Sequence, residues 1–197
     1  MPGVEPLASI PATPGAFACL DFVNSRWHDH RDGIAVHDRL TDPGWQGWFL
    51  NRWGLEPEPG AEALPLPDLT AARAALRAVL ESWASGQQPP AAEAALLDRM
   101  LAGSPFRRRL EWSEGDLALR DEPARRDWAW VLAQLVASAA ALAAAGPRAR
   151  LKVCGNDSCS WLFWDASHNL SRRWCDAATC GNLVKVRDHR RRRRAQS

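Results

Sequence analysis

Apolar and polar positions along the 197-residue chain change period several times, and each change marks an element. Phe17–Asn24 is a short apolar segment that predicts the start of a helix or a strand entering a core. Residues 26–42 contain His28, Asp29, His30, Arg31, Asp32 and Gly33 and read as a loop. Asp42-Pro43 is a helix start, with Asp as cap and Pro in the first turn. Trp45, Trp48, Phe49 and Trp53 then share one helical face, and Gly54 ends it. Glu56–Pro67 is a proline-rich linker. Asp68 or Thr70 is expected to cap the next helix, whose stripe is Leu69, Ala72, Leu76, Val79, Leu80 and Trp83, with Gly86 as the stop. Pro89–Leu101 predicts a further helix with Leu96, Leu97, Met100 and Leu101 inward. Over Phe106–Arg120 the period drops to two: Leu110 and Trp112 alternate with charged neighbours, as do Leu117 and Leu119 after the turn Ser113-Glu114-Gly115-Asp116. That is the pattern of a β-hairpin. Pro123 is expected to open a long alanine-rich helix, and Gly146-Pro147 to close it. Its apolar stretch Trp128–Ala145 contains Gln134 and Ser138 and is flanked by charges, so it reads as a buried helix and not a membrane span.

From Leu151 the pattern changes in kind. Leu151-Lys152-Val153 leads into Cys154-x4-Cys159. Trp161-Leu162-Phe163-Trp164 leads out as a short strand, and Asp165–Asn169 is a turn. Fifteen residues separate Cys159 from Cys175-x4-Cys180, near which a helix begins. Two matched cysteine pairs on tight turns supply four thiolates to one tetrahedral ion, so Cys154, Cys159, Cys175 and Cys180 are the expected ligands of one structural Zn2+. The intervening four residues are too many for a dithiol redox motif. Cys19, in an apolar run, is expected to be a buried, inert thiol. The predicted fold class is α+β, mostly α. A helical N-terminal domain with a small β-hairpin (residues 1–147) precedes a treble-clef or zinc-ribbon-like four-cysteine module (residues 148–197).

Charge sharpens this division. Residues 1–147 hold 13 Lys and Arg against 19 Asp and Glu, and residues 148–197 hold 12 against 4. The acidic body and basic end imply a polyanionic partner for the end. The candidate nucleic-acid contacts are Arg172, Arg173, Lys185, Arg187, Arg190, Arg191, Arg192, Arg193 and Arg194. DNA is the expected partner. RNA is the alternative, with Trp161, Phe163, Trp164 and Trp174 as stacking platforms. The N-terminus has no secretory pattern and the cysteine usage suits a reducing compartment, so a cytoplasmic location is expected. Asp21 and Asn24, polar in an apolar segment, are candidate ligand contacts or structural hydrogen-bonders. His28, Asp29, His30 and His37 are candidates for a second metal or acid–base site. No nucleophile–base pair or phosphate loop is present, so an enzyme of unknown reaction in the front domain is the weakest reading.

The run from Arg150-Leu151-Lys152-Val153-Cys154 through Ser171-Arg172-Arg173-Trp174-Cys175 to Cys180-Gly181-Asn182 resembles the CGNR-type zinc finger. Cys19-Leu20-Asp21-Phe22-Val23-Asn24-Ser25 resembles the opening motif of the ABATE domain that stands before that finger in a bacterial family of stress-induced transcription regulators. The resemblance implies zinc-dependent DNA binding and regulation of transcription, with a sensing or homodimerising front domain whose small-molecule effector is unknown. Two positions depart from the family. Leu183 stands where the name-giving arginine does, and Ala177 where a methionine is usual. If the missing arginine reads DNA in relatives, Leu183 changes specificity, and Lys185, Arg187 and the arginine run compensate through phosphates.

Overall fold

The computed structural model of the chain describes residues 17–29, 35–113 and 115–195. The helices are α1 (Ala18–Val23), α2 (Pro43–Trp53), α3 (Leu66–Ser85), α4 (Ala91–Ala102), α5 (Trp128–Ala144) and α6 (Asn182–Ala195). Three two-stranded antiparallel sheets accompany them: β1 (Arg26–His28) with β2 (Val36–Asp38), β3 (Phe106–Ser113) with β4 (Asp116–Pro123), and β5 (Leu151–Val153) with β6 (Leu162–Trp164). The architecture is therefore mostly helical with small β-hairpins, as the pattern predicts. Among the described residues no helix is long and apolar enough to cross a membrane.

The centre is α1. Five of its six residues are buried, Asp21 being the exception. It packs against α3, α5 and β6. The Cys19 backbone N–H donates to Ser138 Oγ of α5 at 3.1 Å, and burial pushes the Cys19 thiol up to about 12. A thiol held protonated in this way is inert, as expected.

Local chemistry sets the other boundaries. Asp42 accepts from the Gly44 N–H at 2.9 Å and Pro43 fills the first turn of α2. Gly54 closes α2 at φ 62, a conformation that glycine adopts without strain. Of the predicted aromatic face, Trp45 and Phe49 are buried and stack at 4.8 Å, whereas Trp48 is exposed. Helix α3 starts at Leu66, ahead of the expected Asp68 or Thr70 cap, and has no side-chain cap. Pro67 explains this, because its preset φ and missing N–H suit the first turn. In α4 only Leu97 is fully buried and Leu101 is exposed, since this helix packs on one side only, against α3 and α5.

Two further expectations are corrected. The expected loop over 26–42 contains the β1–β2 hairpin, in which Trp27 faces His37 with the rings stacked at 4.4 Å. A single cross-strand aromatic pair sets this register, too short a pattern to show as period two. Pro123 does not open α5; it pairs with Phe106 at the end of β4, and α5 begins at Trp128 under an Asp127 cap that accepts from Trp130 N–H at 3.0 Å. The lead-in over residues 1–15 and His30 lie outside the described residues.

The main core unites α1, α2, α3 and α5 with Leu151 and Leu162 of the last hairpin. A second, small cluster holds the four C-terminal cysteines with Trp161 and Phe163, and Trp27 and Trp174 pack against it.

Candidate metal centre

Each cysteine pair sits on a turn closed by its own backbone and by one polar side chain. In the first, the Cys154 N–H donates to Trp161 O at 2.8 Å and the Cys159 N–H to Asn156 O at 2.7 Å. In the second, a single π turn (Ala177–Gly181) is capped by Asp176, which accepts from Thr179 N–H at 2.6 Å and Thr179 Oγ1 at 2.7 Å. Two glycines let the turns approach. A Cβ on Gly155 would lie 3.0 Å from the Arg173 carbonyl oxygen, and one on Gly181 would lie 3.3 Å from the Trp174 ring. That close ring contact accounts for the glycine in Cys180-Gly181-Asn182.

The four Sγ atoms converge. Cys159 and Cys175 are 3.8 Å apart, Cys175 and Cys180 are 3.7 Å apart, and all four atoms lie within 4.8 Å of one another. A regular tetrahedron with Zn–S bonds of about 2.3 Å has S···S edges of about 3.8 Å. The spacing matches that ion and is far from the ~2.05 Å of a disulfide. All four cysteines are buried. At this crowding, the neighbouring thiols push Cys159 and Cys175 up, while Cys154 is held down as the common acceptor of their hydrogen bonds. A divalent ion reverses that balance by ionising the sulfurs and neutralising half their charge. Four sulfurs fill a tetrahedral coordination sphere, so the site is one structural zinc site with no open position for catalysis.

Outer contacts hold the sulfurs. The Cys175 N–H points at Cys154 Sγ at 3.5 Å, and buried Asn156 donates Nδ2–H to Cys180 Sγ at 3.5 Å. Asn156 Oδ1 in turn accepts from Arg187 Nη1 at 2.9 Å. The loop between the pairs is pinned by Asp165, fully buried, which accepts from Lys152 Nζ at 2.7 Å, Ser167 N–H at 2.9 Å and Arg172 N–H at 3.0 Å. Burial pushes the Asp165 carboxyl up, but these donors outweigh it and hold the group well below the usual carboxylate range. Lys152 also donates to the carbonyls of Leu170 and Arg172.

The front half grips this module directly. Asn24 Nδ2–H donates to Leu162 O at 2.8 Å and its Oδ1 accepts from Leu162 N–H at 3.0 Å. Arg77 of α3 donates to Ser160 O. Arg73, buried in the same helix, donates to both oxygens of Asp38 at 2.6 Å and to Ser25 Oγ at 2.9 Å. Arg39 lies over the rings of Trp27 and Trp161 at 5.5 and 5.9 Å.

The predicted site residues thus fall into groups. Arg173, Lys185 and Arg190, Arg191, Arg192, Arg193 and Arg194 are exposed. Arg191 pairs with Asp188 of the same helix at 2.9 Å. Arg172 and Arg187 are half-buried and engaged within the module, Arg172 with Cys175 O at 2.5 Å and over the Phe163 ring at 5.0 Å. Leu183 is half-buried in the first turn of α6. Asp21 accepts from Trp53 Nε1–H at 3.1 Å and faces Arg52 at 3.6 Å, and Asn24 serves β6. Trp161 and Phe163 are buried, and Trp164 meets Phe17 edge-on at 5.7 Å. Among the described residues the four cysteines are the one cluster of three or more potential metal ligands. His28, Asp29 and His37 form none, and His37 spends its ring on Trp27. Asn156, Lys152, Asp165, Arg73 and Arg77 were not among the predicted residues. Two of them left a local trace, Asn156 as an asparagine within a cysteine turn and Asp165 as the first residue of the Asp165–Asn169 turn.

No curated protein matches the chain. Residues 150–193 match the family model of the CGNR zinc finger, the segment in which the sulfur cage lies. Residues 17–146 match the ABATE model, described as "Putative stress-induced transcription regulator", and with that match covering most of its length the chain belongs to the ABATE family.

Proposed function

We propose that the protein is a cytoplasmic, zinc-dependent DNA-binding regulator of bacterial transcription, with no catalytic activity of its own. The observation that carries this reading is α6. It leaves the zinc cage two residues after Cys180 and spans 14 residues, so it extends about 21 Å. Lys185 and Arg190–Arg194 are exposed along it. A helix of that reach, anchored at its start and cationic at its end, fits the major groove and its phosphates. Arg173 adds to this surface. Arg172 and Arg187 act as internal braces, so their phosphate role is subordinate. The burial of Trp161 and Phe163 favours duplex over single-stranded RNA, because those rings are committed to the small core. The family description supports stress-responsive genes as targets, and the front domain is then the regulatory part.

The test is the salt dependence of duplex binding by the zinc-loaded protein. Each phosphate neutralised contributes about −0.9 to the log–log slope. Replacing Arg190–Arg194 by alanine is expected to reduce that slope by roughly 3–5 units. An unchanged slope with intact zinc content removes the arginine helix from the interface.

A further inference from the structure

The β3–β4 hairpin carries an apolar face that nothing in the described fold covers. Strand alternation and register put Phe106, Leu110, Trp112 and Leu117 on that face, with Arg108 between Phe106 and Leu110, and the four apolar residues are 57%, 63%, 71% and 58% exposed. Together they offer on the order of 500 Å² of apolar surface, at the upper end of what a monomer leaves in water. On the opposite face Arg107 and Arg109 pair with Glu122 at 3.5 and 3.2 Å, so the charges there satisfy one another. An isolated two-stranded hairpin is marginal in water, and eight-residue strands with both edges open call for a cover.

We propose that this face is the dimer interface, covered by the same face of a second copy of the chain. Charge selects the occupant. Residues 106–123 carry 4 Arg against 5 Asp and Glu, so the hairpin attracts neither nucleic acid nor an anionic membrane. A near-neutral, apolar partner remains, and the geometry is self-complementary. Phe106 stands at the base, Trp112 at the tip and Leu110 between them. An antiparallel crossing about a twofold axis between Arg108 and Leu110 sets Trp112 of each copy on Phe106 of the other and Leu110 on the aliphatic stem of Arg108. Pairing removes about 1,000 Å² from water, the threshold of a biological interface and the size of a weak, reversible dimer. The hairpin makes no extensive contact with any other element, so this dimer leaves the core and the zinc cage as they are.

Sedimentation equilibrium of the full, zinc-loaded chain across micromolar concentrations tests this. The expected mass is twice the 21.8 kDa of one chain. The double variant Leu110→Glu, Trp112→Ser is expected to raise the dimer Kd at least about 100-fold, with circular dichroism and zinc content unchanged. In the unaltered protein, amide exchange across 106–123 is expected to slow as concentration rises. A monomer at every concentration, a dimer indifferent to the double variant, or hairpin exchange independent of concentration each overturns the proposal.

Discussion

Replacing Asn24 by alanine strips two hydrogen bonds from a single buried residue. The Asn24 side chain meets both backbone groups of Leu162, at 2.8 and 3.0 Å, and Leu162 is fully buried. The carbonyl and N–H left behind lie in the buried interior. Each buried backbone group without a partner costs about 1–3 kcal/mol, so the variant is expected to lose roughly 2–6 kcal/mol. For a chain of this size that is a fall in Tm of roughly 4–24 °C. Asn24→Asp separates the two bonds, because a carboxylate still accepts from Leu162 N–H but cannot donate to Leu162 O. It also buries a charge, so it is expected to be no better than alanine, whereas a side chain needed only for its volume would tolerate it as a near-isostere. Calorimetry together with zinc release by a chelator is the assay. Since Asn24 joins α1 to the strand that leads out of the first cysteine turn, zinc release should accelerate as stability falls. A loss under about 0.5 kcal/mol with zinc retention unaltered refutes the reasoning, since it would mean that Leu162 finds other partners at no cost.

Arg187→Ala removes the donor that fixes Asn156 against Cys180, and zinc affinity is expected to fall roughly 10–100-fold in competition with a chromophoric chelator; an unchanged affinity would return Arg187 to the set of phosphate contacts. The Asp38 carboxyl is held below its ordinary value, chiefly by the hydrogen bonds from Arg73. A folded value below the unfolded one means that the stabilisation is complete above the unfolded pKa of about 3.9 and disappears as pH falls through the folded value. The stability gap between the unaltered protein and Asp38→Asn should therefore be constant above about pH 5 and narrow below about pH 4, as read by urea unfolding at each pH.

Features carried by neighbouring residues were legible in the sequence. The two cysteine turns, the Asp42 cap with Gly54, and the Ser113–Asp116 turn each consist of residues within a few positions of one another. What escaped was decided at long range. Arg73 reads as one of many arginines until its helix faces Asp38, 35 residues away. Arg187 reads as one cation of a basic run until α6 swings it to Asn156, 31 residues away. The β1–β2 hairpin is held by Trp27 and His37 against the zinc cluster, and three-residue strands carry too little alternation to announce themselves. Pro123 misled because proline is equally at home in a first helical turn and at the end of an edge strand.

The bond from Asn24 to Leu162 spans 138 residues of chain and ties the earliest described helix to the zinc hairpin. On a ribosome, α1 emerges long before β6. Helix α3 can cover part of the apolar surface of α1 early, but the rest waits until α5 and β6 have been synthesised. Completion of the core thus coincides with arrival of the last cysteine and capture of the metal. A nascent chain short of zinc would have an unsealed interior as well as a missing finger, which places the supply of the ion upstream of the whole protein's survival in the cell.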